Sequence, residues 1–289
     1  MKFLSVVLIA PIATLALSLP ALAELRTKVV EYQHGTTVLE GYLAYDDAFT
    51  GKRPGVLVVH EWTGLGSYVK GRAEQLAKLG YVAFAIDMYG KGIRPNNPKD
   101  AAAQATIYRK DRQLMRDRAR AGLAVLQTNE LTDPTKIAAI GYCFGGGTVL
   151  ELARSGAPVA GVVSFHGNLD TPNAADAKAI KAKVLVLHGA DDPYVPPDQV
   201  AAFEKEMRDA KVDWQLTAYG GTVHSFTNPA SGSDPSKGIA YNETADKRSF
   251  AAMQQFFAEL FSRSSLRPLF RQPPMIPSGQ GRRIPSGAR

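Results

Sequence analysis

Ile137-Ala138-Ala139-Ile140-Gly141-Tyr142-Cys143-Phe144-Gly145-Gly146-Gly147 is the stretch from which the fold can be read. An apolar run leads directly into a turn that carries glycine two positions before and two positions after a cysteine, and residues 146–154 then show helical spacing. A strand that turns so sharply into a helix strains the backbone of the middle residue and leaves no room for side chains at the flanking positions. The pattern is a nucleophile elbow with cysteine in the serine's place. Such a turn points the Phe144 N–H at a reacting carbonyl, and the helix N-terminus behind it favours a thiolate and a developing oxyanion. Most free cysteines are small buried core residues. Cys143, the only cysteine of the chain, instead falls between both glycines that an elbow demands.

Outward from the elbow, strands and helices alternate. Apolar runs at 55–60, 81–86, 137–140, 159–165, 184–188 and 215–219 read as strands, the near-continuous ones as strands buried on both faces. Helical spacing appears at 68–79, stopping at Gly80, and at 99–126, 146–154, 197–209 and 244–261. Segments 28–32 and 38–44, separated by His34-Gly35, suggest an antiparallel hairpin, with His34 facing solvent. This alternation implies an α/β fold, a mostly parallel sheet with helices on both faces, in one domain spanning 24–261. Helix 99–126 is expected to be continuous. Its Arg109, Lys110, Arg112, Arg116, Arg118 and Arg120 are mixed with Asp111 and Asp117 around an apolar face, so they read as a solvated surface rather than a nucleic-acid stripe.

In open α/β sheets reactive groups gather at the carboxyl ends of the strands, and this elbow predicts the chain order nucleophile, acid, histidine. After strand 184–188 comes Gly189-Ala190-Asp191-Asp192-Pro193, and after strand 215–219 comes Gly220-Gly221-Thr222-Val223-His224-Ser225-Phe226. His224 is the candidate base, and Asp192 or its neighbour Asp191 would orient it. His60, His166 and His188 each end a strand, but none follows the acid. The loop His60-Glu61-Trp62-Thr63-Gly64 supplies a second oxyanion amide, that of Trp62, and places a carboxylate, Glu61, where it could hold a resting thiol protonated. No His/Asp/Glu cluster has metal-ligand spacing, so neither metal nor cofactor is expected.

The 289 residues are 45% hydrophobic and 21% charged, which excludes a wholly disordered chain. The formal charge of +7 would prompt a search for polyanionic partners. Its location removes that reading from the domain: Lys2 and the six arginines of 262–289 account for the whole excess, and 24–261 is neutral. Residues 1–23 carry one lysine, then an apolar run ending in Ala21-Leu22-Ala23. They read as a signal peptide cut after Ala23, with the mature chain periplasmic or secreted and not inserted in a membrane. Residues 262–289, with five prolines and no acid, read as a basic disordered tail. The neutral body fits a small-molecule substrate, with no nucleic acid as partner, and a monomer is expected.

Taken together the motifs resemble those of the dienelactone hydrolase family, the cysteine branch of the α/β-hydrolases, over about 38–261. They are the Glu61 loop, Asp87-Met88-Tyr89-Gly90, the elbow, Asp192-Pro193-Tyr194-Val195-Pro196 and Gly221-Thr222-Val223-His224-Ser225-Phe226. The resemblance implies the α/β-hydrolase fold and a triad of Cys143, Asp192 and His224, with Asp192 rather than Asp191 as the acid. It also implies that Glu61 contacts the resting thiol. Studied members of the family open the lactone ring of carboxymethylenebutenolide and hold its carboxylate with two arginines. Here Lys91 and Asn228 stand at those positions, so the bidentate fork is lost while both remain candidate substrate-binding residues. The expectation is an exported hydrolase of a small ester or lactone acting through a cysteinyl acyl-enzyme. Alternatives are a non-catalytic redox or ligand-binding protein using Cys143, and attack on thioesters or peptides.

Overall fold

The protein is described from a computed structural model covering residues 24–262. The expected signal peptide, and the expected tail beyond Ser262, lie outside the described residues. The chain forms strands β1 (Leu25–His34), β2 (Thr37–Asp46), β3 (Arg53–Val59), β4 (Val82–Ile86), β5 (Thr132–Tyr142), β6 (Gly161–Phe165), β7 (Lys183–Gly189) and β8 (Trp214–Tyr219). Its helices are α1 (Ser67–Lys78), α2 (Pro98–Lys110), α3 (Arg112–Thr128), α4 (Phe144–Arg154), α5 (Pro197–Asp209) and α6 (Glu243–Phe261). Among the described residues no helix is long and apolar enough to cross a membrane.

The strands form one sheet in the order β1-β2-β4-β3-β5-β6-β7-β8. The β1–β2 hairpin is antiparallel in itself and to β4, and β3 to β8 are parallel throughout. This is the α/β-hydrolase fold. Alternation along the central strands assigns side chains to two cores. Leu57 and Val59 of β3, Ala139 of β5 and Val184 and Val186 of β7 face one side, where α3, α4 and α5 contribute Leu123, Val149 and Phe203. Val56, Val58, Ile140 and Leu185 face the other, against Val69 and Leu76 of α1 and Met253 and Phe257 of α6. Each fully buried side chain of this size contributes about 1.5–3 kcal/mol relative to exposure, so strands covered on both faces must read as nearly unbroken apolar runs. Because β3 to β8 are parallel, their carboxyl ends share one edge of the sheet, and the loops from those ends meet there.

Three expectations are corrected. The helix anticipated over 99–126 is two helices that break at Asp111, whose backbone leaves the helical region (φ −115°, ψ 87°). The Asp111 side chain accepts from the Leu114 N–H at 2.9 Å and so caps α3, a role available to any aspartate that can leave the helix. Arg118 is not on a solvated face. It is buried, donates to His34 Nδ1 at 3.2 Å and lies over the Tyr108 ring. His34 is accordingly half-buried rather than turned to solvent.

Helix α4 carries the elbow and is buried along its entire length. Its one cation, Arg154, is 2% exposed and is ion-paired through Nη1 with Glu151 at 3.0 Å and through Nη2 with Glu206 of α5 at 2.7 Å. A charge this deep persists only when paired. The pairing ties the helix behind the elbow to its neighbour.

Candidate active site

Cys143 sits between the end of β5 and the start of α4 with φ 53° and ψ −114°, a conformation that non-glycine residues avoid. The flanking glycines follow from the same turn. A Cβ at Gly141 would lie 2.0 Å from the Gly145 carbonyl oxygen, and one at Gly145 would lie 2.3 Å from the Val59 carbonyl oxygen. Both obstacles are backbone, so no side-chain rearrangement could make room. The close approach brings the elbow against the end of β3 and the Glu61 loop that follows it.

Loops after β3, β7 and β8 meet around Cys143. His224, between β8 and α6, brings Nε2 to 3.1 Å from Cys143 Sγ, while its Nδ1 lies 2.8 Å from Asp192 Oδ2. Asp192 is buried and its Oδ1 accepts from the Tyr194 N–H at 2.8 Å, so both carboxylate oxygens are engaged. Asp191 is exposed. The His224 backbone is held from both sides, its N–H donating to Gly238 O and its carbonyl accepting from Ala240 N. Burial works against a charged imidazole here. The Cys143 sulfur and Asp192 outweigh that cost, and the His224 pKa is pushed up to about 10. The arrangement therefore favours an imidazolium beside the sulfur at neutral pH, which suits a thiolate nucleophile.

Phe144 is the first residue of α4, so its N–H has no acceptor within the helix. Among the described residues neither its N–H nor that of Trp62 donates to another protein group. Both are free for an oxyanion.

Glu61 lines the same cavity as Cys143, and among the described residues its carboxylate makes no hydrogen bond to the sulfur. Its carboxylate accepts from Ser225 Oγ at 3.1 Å and Asn228 Nδ2 at 2.7 Å, and the hydrogen bond at the sulfur is made by His224 instead. Burial raises the Glu61 pKa, and these two donors oppose the rise. Asn228 lines the cavity, yet its amide nitrogen is spent on Glu61. Lys91 does not line the cavity; its ammonium pairs with Glu31 on an exposed part of the surface. The reason is that Lys91 donates its backbone N–H to Val38 O, which holds it beside the hairpin.

The cavity above Cys143 has a volume of about 600 Å³. Trp62, Tyr68 and Tyr194 give it aromatic walls, Ser225 adds a hydroxyl, and Arg109 reaches it from α2, its Nη2 donating to Asn168 Oδ1 at 3.0 Å. The sequence names Tyr194, Ser225 and Arg109 but does not mark them or Tyr68 as lining one pocket, since their loops and helices converge only in the fold. Two of the remaining strand-end histidines are placed by hydrogen bonds, and His188 is buried with its Nδ1 unpartnered among the described residues. His60 donates from Nδ1 to Glu61 O at 2.5 Å and accepts at Nε2 from Met88 N at 3.2 Å. Burial holds it neutral, its pKa down to about 4. His166 also contacts the elbow, through Cys143 N rather than the sulfur. His188 is buried, with its pKa lowered by burial.

The family model of the dienelactone hydrolase family matches residues 39–261, nearly the whole described chain. The chain belongs to the dienelactone hydrolase family. Within or near this family, the chain is similar to the crystal structure of a dienelactone hydrolase-like promiscuous phosphotriesterase from metagenomic libraries. The two share 44% identity with a TM-score of 0.79, over 82% of this chain and 99% of that one. It is 31% identical over 206 residues to protein usf of Aquifex pyrophilus, covering 70% of this chain and 87% of the relative. A Bradyrhizobium protein named "probable 2-oxo-3-(5-oxofuran-2-ylidene)propanoate lactonase" is 29% identical over 201 residues, 65% of this chain and 79% of its own. The protein is thus a dienelactone hydrolase-like hydrolase.

Proposed function

We propose that the protein hydrolyses small carboxylic esters or lactones through a cysteinyl acyl-enzyme, with Cys143 as nucleophile, His224 as acid and base, and Asp192 orienting the imidazole. The observation that carries this reading is the chain of contacts from Asp192 Oδ2 through His224 to Cys143 Sγ, at 2.8 and 3.1 Å, on a strained elbow. The thiolate attacks the carbonyl carbon, and the oxyanion takes the Phe144 and Trp62 N–H groups; one such donor supplies about 3 kcal/mol. As the tetrahedral intermediate collapses, His224 Nε2 gives its proton to the departing alkoxide and a thioester remains on Cys143. Water then gives a proton to His224 and its oxygen to the acyl carbon. The C–S bond breaks, and the acid leaves.

The lactonase name of the Bradyrhizobium relative supports lactones within this range. A second substrate class, phosphotriesters, is supported by the metagenomic relative at 44% identity. The decisive assay compares purified protein with Cys143→Ala and His224→Ala on p-nitrophenyl acetate, simple lactones and a p-nitrophenyl dialkyl phosphate. Both variants should lose activity on whichever of these the protein turns over; activity surviving in both would overturn the reading. Export to the periplasm or the exterior belongs to the same proposal and rests on the sequence of residues 1–23. N-terminal sequencing of the exported protein should begin at Glu24, and a chain retaining Met1 would contradict it.

A further inference from the structure

Cys143 and His224 leave the sheet at β5 and β8, with β6 and β7 between them. Something must therefore set their 3.1 Å separation across that gap. His166, at the exit of β6, stands in the intervening space. Its Nδ1 accepts from the Cys143 N–H at 3.1 Å, a proton that the Phe165 carbonyl also accepts at 3.0 Å. Its Nε2 lies 2.7 Å from the hydroxyl of Thr227, three residues beyond His224. The two contacts fix the ring as neutral with its proton on Nε2, because only that tautomer can accept from Cys143 and donate to Thr227 at once.

We propose that the His166–Thr227 pair is a strut that sets the distance between Cys143 and His224, which makes both of them positioning residues for the reaction. The strut is rigid because an aromatic ring spans it, and it holds the nucleophile by the backbone amide of the strained residue itself. Its far end is anchored as well. The Thr227 hydroxyl lies 2.6 Å from the Tyr68 hydroxyl, and the Thr227 carbonyl accepts from Arg72 Nη2 at 2.6 Å. Arg72 is in turn ion-paired with Asp246 of α6 at 2.6 Å. The His166 ring also stands edge-on to His224, with centroids 5.3 Å apart, and to Phe226 at 5.1 Å, so it backs the imidazole it helps to place. His166 and Thr227 are completely buried and do not line the cavity, so neither touches substrate. Burial first, then the charges of His224 and Arg72, keep His166 neutral; the Tyr142 ring also lies beside it.

The inference rests on the reading of Cys143 as nucleophile, and the test separates the two. Thr227→Val removes the acceptor while keeping the side-chain shape, and Thr227→Ser restores the hydroxyl. Each is compared with wild type for alkylation of Cys143 by iodoacetamide across pH and for kcat and KM on p-nitrophenyl acetate. Thr227→Val should lose on the order of 10²-fold in kcat, the scale expected for a displaced reacting group, with KM little changed. Its alkylation at neutral pH should fall toward that of an ordinary thiol, and Thr227→Ser should behave as wild type. If Thr227→Val does not fold, His166→Gln is read in the same way, since it keeps an acceptor for Cys143 but loses the ring. A wild-type alkylation profile in the folded valine or glutamine variant would overturn the strut. If no protein turns over ester, the functional reading falls while the alkylation comparison still decides the strut.

Discussion

His224 Nε2 lies 3.1 Å from the Cys143 sulfur, although the two residues are 81 positions apart in the chain. In the proposed reaction this contact joins the acid–base group to the nucleophile, with Asp192 orienting the imidazole. His224→Ala should lower kcat/KM on an activated ester by about 10²–10⁴-fold, the usual worth of a general acid–base. Asp192→Asn should fall in the same range because the imidazole loses its fixed orientation. Steady-state kinetics on p-nitrophenyl acetate checks both, and a loss below about tenfold in either would be too small for these roles.

The elbow glycines give a prediction about stability. Gly141→Ala puts a methyl 2.0 Å from a backbone oxygen. Overpacking against an atom that cannot yield should cost about 3 kcal/mol or more, lowering Tm by about 10 °C in a domain of this size. Gly71 in α1 is the control, because a Cβ there meets nothing within 4 Å. Gly71→Ala should stabilise by up to about 1 kcal/mol through helix propensity. Thermal melts of the two variants should move in opposite directions.

Much of this architecture was legible because its constraints are local. The runs at 55–60 and 184–188 are apolar since both faces of those strands are covered, and the glycine spacing around Cys143 follows from one turn. What escaped reading depends on contacts distant in sequence. Asp111 looks like any charge on a helix until its backbone turns out and it caps α3. Arg118 follows helical spacing among arginines that are solvent-facing or paired, and only its meeting with His34 and Tyr108 shows that it is buried. Glu61 lies in the loop expected of it. Which partner its carboxylate takes is decided by Ser225 and Asn228, more than 160 residues away. His166 ends a strand like two other histidines, and its link to Thr227 belongs to the tertiary fold alone.

The position of Glu61 carries its own consequence. Since Ser225 and Asn228 hold its carboxylate and His224 holds the sulfur, Glu61→Gln should leave iodoacetamide alkylation of the resting protein near the wild-type rate. A marked acceleration would mean that Glu61 restrains the thiol after all.

Acid should destabilise the fold. His60, its pKa lowered by burial to about 4, and His166, lowered well below the ordinary value, are both neutral in the folded protein. Below the ordinary histidine value of about 6.5 the unfolded chain binds protons at these positions that the folded chain does not, so stability falls as pH drops. His60 alone accounts for on the order of 3 kcal/mol between about pH 6.5 and pH 4. Glu61, whose raised pKa lets the folded state bind a proton more readily, offsets part of this loss. Melting temperature should therefore decline from about pH 6.5 toward pH 5. A flat profile would contradict the lowered pKa values of His60 and His166 in the folded state.

The central claim is that a covalent thioester forms on Cys143. Wild-type protein mixed with p-nitrophenyl acetate, quenched in acid within the first turnover and examined by intact-mass and peptide mass spectrometry, tests it most directly. One acetyl group should appear on the peptide containing Cys143 and disappear as substrate is exhausted, and it should persist longer in protein slowed by Asp192→Asn. Ester hydrolysis with no acyl group on Cys143, or undiminished hydrolysis by Cys143→Ala, would contradict the account.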